Sequence, residues 1–397
     1  MTSNDIGKES IALHERLGGK LGTYSKMKIE SQHDLSLAYT PGVAQVCLEI
    51  HKNPARAFDL TLKKNALAVI SDGSKVLGLG NLGALGAIPV MEGKAVLFKE
   101  LAGIDAFPIC INTQDTQELI RVIREISPVF GAINLEDIVA PKCFAVEKSL
   151  QDLGIPVYHD DQHGTAVVVY AGLTNASKVM GKSFSQLKVC INGAGAAGHA
   201  VAKMLLGMGS PDTFPSVKEV VVVDSKGILY DGRNDMDPDK QALARMTNPS
   251  KREGKLREAL ENMDVFIGVS VAGALKPEWM ANMNEKPIIF ALANPTPEIM
   301  PDVAKAAGAG IVATGRSDFP NQVNNALAFP GVFRGAMDAR AMRITESMNA
   351  AAALALAGMV TNPSEASILP ELHDKNVAAV VAAAVKAQAL RENVTRP

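Results

Sequence analysis

The sequence predicts an α/β fold in two units, the second a doubly wound parallel sheet. Short apolar runs alternate with helical patterns through much of the chain, as parallel sheets joined by crossover helices require. A complete β-α-β pattern occupies residues 128–161, and a strand, a glycine turn and a helix follow from residue 187. No repeat or low-complexity linker marks the division. It is expected within 160–180 and drawn at 161/162, giving units 1–161 and 162–397.

In the first unit, residues 128–137 (PVFGAINLED) read as a strand running into carboxylates. Residues 141–153 (PKCFAVEKSLQDL) read as a helix, with Pro141 near its first position and Gly154 after its last. Residues 155–161 (IPVYHDD) read as a second short strand. The two strands of such a unit are parallel and close in the sheet. Glu136-Asp137 and Asp160-Asp161 are therefore expected together outside the carboxyl ends of the strands, where open α/β sheets bind ligands. Carboxylates held that close repel one another unless a proton or a cation joins them. A divalent metal is the expected answer. The apolar residues 165–178 then read as a helix carrying the chain into the second unit.

The second unit begins with LKVCINGAGAAGHAVAKMLLGMG, a buried strand, a glycine turn and a helix. Gly193-Ala-Gly195-Ala196-Ala197-Gly198 has the context that a dinucleotide fingerprint needs. Its first two glycines permit a tight turn and close backbone approach to a pyrophosphate, Gly198 permits close packing, and the helix amino terminus faces the phosphates. Asp224 ends the next strand (218–224), placed to accept from a ribose 2′-hydroxyl, with the loop 210–216 explaining its distance from Gly198. A carboxylate there repels a 2′-phosphate and favours NAD, while Lys226 and Arg233 nearby soften the preference and keep NADP as the alternative. Further strands are expected at 265–269, 287–292 and 310–314, and a final helix or two within 367–389. A second match, Gly78-Leu-Gly80-Asn-Leu-Gly83, continues into Pro89 and Gly93, which are expected to interrupt any crossover helix. It reads as a loop near the active site.

Composition bounds the function. The chain of 397 residues is long enough for two full cores. Its 47% apolar and 21% charged residues mark an ordinary globular protein, and a net charge of -2 without a basic tract argues against nucleic acid. Cys47, Cys110, Cys143 and Cys190 form no CxxC and read as reduced thiols of a cytoplasmic protein. No secretory signal is visible at the amino terminus, and the alanine-rich 349–360 is too short to span a bilayer. A packed helix is expected there.

The segments AYTPGVA (38–44), SDGSKVLGLGNLGALG, EGKAVLFKELAGID, NLED, DDQHGTA, GAGAAG, ALANPTPE and PNQVNNALAFPG (320–331) occur in this order. Together they make nearly the whole chain resemble the malic enzyme family, in its compact form without an acetyltransferase-like extension. The resemblance implies an N-terminal malic-type α/β domain and a Rossmann-like NAD-binding domain. It implies Glu136, Asp137 and Asp161 as ligands of Mg²⁺ or Mn²⁺, a hard ion suited to an oxygen set. It makes Tyr39 and Lys94 the acid-base pair, with Asp160 beside them to tune or relay for Lys94. Asn294 and Asn325 match positions that hold the substrate carboxylate near the nicotinamide, Asn324 being a register alternative. Lys75 stands where larger relatives carry an arginine, and a lysine cannot reproduce its bidentate fork. His33, His163 and His199 also suggest bases, although His163 reads better as a hydrogen-bonded structural residue.

The implied reaction is oxidative decarboxylation of L-malate to pyruvate and CO₂, with no membrane partner and a homodimer or higher oligomer. A malolactic conversion of malate to lactate with bound NAD would keep the same residues. A silent metabolite sensor has no use for a proton-transfer pair. A simple 2-hydroxy-acid dehydrogenase would need a His-Asp pair and a substrate arginine that are not apparent here.

Overall fold

The structure, a computed structural model, describes residues 3–208 and 214–396. β1 (Ala66–Ser71), β2 (Asp105–Cys110), β3 (Ala132–Leu135) and β4 (Val157–His159) form a parallel sheet in the order β2-β1-β3-β4. β1 and β3 are buried along their whole length and apolar except for Ser71 and Asn134, as strands covered on both faces are. β5 (Lys188–Asn192), β6 (Glu219–Asp224), β7 (Gly227–Ile228), β8 (Val265–Gly268), β9 (Ile288–Ala291) and β10 (Ile311–Thr314) form the second sheet. Its order is β10-β9-β8-β5-β6-β7, parallel except for the short edge strand β7. The strand order reverses at β5, where a doubly wound sheet opens a crevice for a ligand.

Three sequence expectations shift. The strand expected over 155–161 is only β4, and Asp160 and Asp161 form the first turn of the helix Asp160–Val179. His159 is still extended (φ -96°, ψ 105°), and the acids beyond it sit where unpaired N–H groups and the helix dipole favour negative charge. This helix runs unbroken through 161/162 and packs its buried Val167, Val169 and Leu173 into the core. Second, Pro89 and Gly93 do not interrupt the helix after the second glycine motif, which runs from Gly83 to Ala102. A proline denies its N–H to the carbonyl four residues earlier, here that of Leu85 in the first turn, a residue 83% exposed. Third, the tail forms one helix, Asn376–Arg391, which begins well after residue 367.

Other elements follow their pattern with trimmed ends. The helix expected over 141–153 is Lys142–Ser149 plus a 3₁₀ turn, stopped by Gly154 in the left-handed region (φ 68°). The alanine-rich stretch is the helix Glu346–Gly358. Of the loop expected over 210–216, residues 210–213 lie outside the described residues. Among the described residues no helix is long and apolar enough to cross a membrane.

The amino-terminal arm is different. Its helices Gln32–Ala38 and Gly42–Lys52 bury no residue, and the first buried residue among those described is Ala66. Ile11, Leu37 and Leu48 are each at least 60% exposed. The arm touches the body at Lys20, whose backbone N–H donates to Glu92 Oε2 (3.1 Å) and whose ammonium donates to the Pro89 carbonyl (2.7 Å), and at Tyr24 and Lys26, which meet Lys99 and Asp105.

Candidate active site

The carboxyl ends of β3 and β4 deliver Glu136, Asp137, Asp160 and Asp161 to one place, all buried or nearly so. Lys94 reaches them from the middle of the helix Gly83–Ala102, among the buried Met91, Ala95 and Phe98. Its ammonium lies 2.6 Å from Asp160 Oδ2 and 2.9 Å from Glu136 Oε1, over the Phe329 ring at 4.1 Å. Burial alone would lower the Lys94 pKa, but Asp160 and Glu136 outweigh it and hold the amine above the ordinary lysine range. Asn325, just before the helix Phe329–Asp338, donates to Asp160 Oδ2 at 2.6 Å. Asn324 instead turns back to accept from the Ala326 N–H, so Asn325 is the asparagine that faces this cluster.

The acids crowd one another. Burial, reinforced by Asp161 and its neighbours, pushes Glu136 well above the carboxylate range and Asp137 up to about 7. Burial also raises Asp160, against the pull of Lys94. Asp161 goes the other way despite its burial, drawn down by His159, Lys75 and Lys94 and by the Asp137 N–H that it accepts at 2.9 Å. Asp137 Oδ1 accepts the Leu77 N–H (3.1 Å), while its Oδ2 is buried without a partner, as is Asp160 Oδ1. Among the described residues no three His, Cys, Asp or Glu side chains are drawn together as a ready metal cage. The set is nevertheless hard oxygen, partly orphaned and mutually repulsive, which suits an oxygen-seeking divalent cation. Lys75 is exposed, yet its charge lowers both Asp137 and Asp161, so it stands at the mouth of this cluster.

A groove of about 560 Å³ opens beside the cluster, between Pro141 and Phe144 on one side and the turn Gly193–Gly195 on the other. Gly193 adopts φ 131°, and a Cβ at Gly198 would lie 1.8 Å from the Gly193 carbonyl oxygen, so neither position admits a side chain. A Cβ at Gly195 meets nothing within 4 Å, which leaves its backbone open to the groove. Ala196 and Ala197 begin the helix Ala196–Leu205 behind it. Asp224 lines the far end of the groove with both oxygens engaged. Arg233 binds it through two nitrogens (2.6 and 3.0 Å), Lys240 through one (3.0 Å), and the Lys226 N–H donates at 2.9 Å. Burial opposes these contacts, but they hold the carboxyl at about 2.

Asn294 is exposed after β9, and its carbonyl lies 2.0 Å from where a Gly78 Cβ would be, so the second glycine loop packs on this segment. Tyr39 is 66% exposed on the amino-terminal arm, and its phenol makes no hydrogen bond among the described residues. The structure therefore does not bring it to Lys94 within one chain. His163 pairs with Glu147 (2.9 Å), which raises it to about 9 against the effect of burial. His199 Nδ1 donates to the Gly195 carbonyl (3.1 Å) and the ring lies against Phe144, while His33 is exposed on the arm.

Residue patterns missed three contributors. Asn134 steadies Glu136 (2.8 Å), Phe329 floors Lys94, and half-buried Glu147 accepts from the His159 N–H and holds the Gln162 and His163 side chains. The first two lie within the NLED and ALAFPG segments and had a signal there. Glu147 is one acid in a helix and had none.

Comparison with known proteins identifies the family of both halves. Residues 19–151 match the family model for the malic enzyme N-terminal domain, and residues 162–390 match that for the malic enzyme NAD binding domain. The chain is 51% identical to the bifunctional malic/malolactic enzyme of Bacillus subtilis, over 98% of this chain and 95% of that one. It is 49% identical to the NAD-dependent malic enzyme of Geobacillus stearothermophilus, over 99% and 80%. The crystal structure of NAD-dependent malic enzyme from Thermotoga maritima superposes with a TM-score of 0.90 at 48% identity, covering 95% of this chain and 98% of that one. An acid cluster clasping a buried lysine, beside a glycine-turn crevice, thus sits in a chain that belongs to the malic enzyme family.

Proposed function

We propose that the chain converts L-malate to pyruvate and CO₂ with reduction of NAD⁺, with NADP⁺ as the alternative acceptor. The observation that carries this reading is the Lys94 ammonium fixed between Glu136 and Asp160, where Asn325 also donates to Asp160. Glu136, Asp137 and Asp161 would hold Mg²⁺ or Mn²⁺, and Gly193–Gly198 with Asp224 would hold the dinucleotide. When bound, the cation supplies Lewis-acid polarisation and the dinucleotide accepts the two electrons of the oxidation.

The chain's own residues handle the protons and the orientation. Asn294 and Asn325 position a substrate carboxylate, and Lys75 supplies positive charge at the mouth. Lys94, once its ammonium proton has left through Asp160, takes the C2 hydroxyl proton, and Asp160 also holds the amine in place. Neutralising the neighbouring acids is what brings Lys94 down from its raised pKa towards a working base. After CO₂ departs, Tyr39 protonates C3 of the enol.

Tyr39 lies on an arm whose apolar side chains are too numerous and exposed for a lone chain. The reading therefore includes a homodimer in which the arm packs on a second copy and brings Tyr39 to that copy's Lys94. Residues 1–161 would supply the metal and acid-base set and 162–397 the dinucleotide site. The four unpaired cysteines suit a reducing cytoplasm.

The test follows NADH absorbance and pyruvate with L-malate, NAD⁺ or NADP⁺, and Mn²⁺ or EDTA. Equal NADH and pyruvate, lost with EDTA, supports the reading. Lactate without free NADH would replace it with the malolactic reaction, an outcome kept in view by the bifunctional relative. Metal-independent NADH without pyruvate would refute decarboxylation.

A further inference from the structure

At the opposite end of the first sheet, a cavity of about 240 Å³ gathers five cations. Lys63 and Lys64 precede β1, Arg334 and Arg340 come from the helix Phe329–Asp338 and the turn after it, and Arg396 follows the last helix. Two carboxylates answer them: Arg334 pairs with Asp338, and Arg340 with Asp59 at 2.7 Å. Lys63, Lys64 and Arg396 have no carboxylate partner among the described residues. Lys63 donates only to backbone carbonyls, that of Phe130 at 2.6 Å among them.

Arg396 is the more telling residue. Its guanidinium lies 3.8 Å over the Phe58 ring, and Nη2 donates to the Ala341 carbonyl, but Nε and Nη1 are buried with no partner. Nε of Arg334 is likewise buried and unpaired. Buried guanidinium N–H groups are costly to leave unmet, and they match oxyanions in a planar fork. A side chain at Gly131 cannot fill the space, because its Cβ would lie 2.3 Å from the Lys63 carbonyl oxygen. Burial, followed by cation repulsion, lowers Lys63 to about 8 and Arg396 to about 10, so the protein gathers these charges against their own preference.

We propose that this cavity binds a small anion carrying at least two negative charges on clustered oxygens, a phosphoryl group or a dicarboxylate. The fold connects it to the acid cluster. β1 and β3 begin at the cavity and end at the acids, and the helix Phe329–Asp338 runs from the Lys94 contact to the cavity wall, about 15 Å for ten residues. An anion that draws Arg334 and Arg396 together acts on the same helix that floors Lys94, so its occupancy changes the malate KM. The binding stands apart from the proposed reaction, while this kinetic consequence rests on it.

Isothermal titration of the full chain with inorganic phosphate and with succinate tests the binding, at constant ionic strength. Saturating NAD⁺ keeps phosphate off the glycine turn, and EDTA leaves no metal to hold succinate. One site should appear for phosphate, succinate or both, weakened about tenfold or more in Lys64→Ala and in Arg396→Ala. Lys64 is exposed, so its variant should fold even where the Arg396 variant does not. Phosphate alone assigns a phosphoryl ligand and succinate alone a dicarboxylate. No heat from either, or heat unchanged in both variants, overturns the site. Malate KM in the NADH assay should shift with phosphate or succinate in the parent and not in Lys64→Ala. Binding without that shift overturns the coupling, and an enzyme inactive on malate overturns the reaction while leaving the titration intact.

Discussion

Replacing Lys94 by methionine separates the two roles that the structure gives this side chain. Methionine keeps the length and the apolar stem among Met91, Ala95 and Phe98 but removes the ammonium between Asp160 and Glu136. Breaking a buried ion pair from one side costs about 3–5 kcal/mol, because the surviving charge stays buried without its partner. Here the survivors are several carboxylates already in conflict, so the metal-free variant should lose stability of that order, and Mn²⁺ should restore part of it. Loss of a general base costs about 10²–10⁴ in rate, or about 3–5 kcal/mol of barrier. The assay compares malate oxidation with metal-dependent decarboxylation of oxaloacetate, a ketone with no hydroxyl proton to remove. The malate rate should fall by that factor and the oxaloacetate rate by much less. Equal losses in both would refute the base role and leave Lys94 a structural cation. A malate kcat within tenfold of the parent would refute any catalytic role.

Tyr39→Phe should abolish pyruvate formation by itself, and mixing it with Lys94→Met after unfolding and refolding should restore about a quarter of the parent rate, since half the dimers then carry one intact site. No recovery in the mixture would place Tyr39 and Lys94 in the same chain. Asn325→Ala removes a short hydrogen bond to buried Asp160, which should lower stability by about 1.5–3 kcal/mol, and through the lost carboxylate contact it should also raise the malate KM by about tenfold or more. Steady-state kinetics and a melting curve check both halves of that statement. Arg233 and Lys240 neutralise Asp224, so Lys240→Ala should lower kcat/KM for NADP⁺ by about tenfold and leave NAD⁺ nearly unaffected. Equal losses with both cofactors would show that Lys240 does not distinguish them.

The parts of the fold legible in the sequence were those in which burial sets the pattern. β1, β3, β5, β6 and β8 are mostly apolar, with polar residues mainly at their ends, because both their faces are covered. Element ends were less legible because charge decides them as much as hydrophobicity. Asp160 and Asp161 look like the end of a strand until the helix dipole is considered, and Pro89 looks like a stop although it falls early enough in its helix to leave only a first-turn carbonyl unmet. The acid pairs and the glycine turn were readable because their chemistry depends on neighbours in sequence. Lys94 was not readable in this way. Its partners lie 42 and 66 residues away, and nothing local separates it from a surface lysine. The amino-terminal arm was illegible for a further reason: among the described residues its helices bury no side chain, so no core sets their pattern.

The helix Asp160–Val179 explains why the acid cluster belongs to both halves. Its first turn carries Asp160 and Asp161, while its body is packed into the core that β5 and β9 also form. Close-packed interiors resist small displacements, so these two acids are fixed relative to the second sheet. Asn325, from the far half, adds a hydrogen bond to Asp160 at the same point. Glu136 and Asp137 come instead from the end of β3, and Asp137 sits in the left-handed region (φ 53°) with one oxygen unmet. Adjustment to a ligand therefore falls first on the β3 end and on the loop that follows β1, whose Lys75 and Leu77 N–H groups hold Asp137. That loop also carries Gly78, pressed against Asn294 of the second half. A change at the carboxylates is thus passed directly to a residue proposed to hold substrate, with no need for the two sheets to move as rigid bodies.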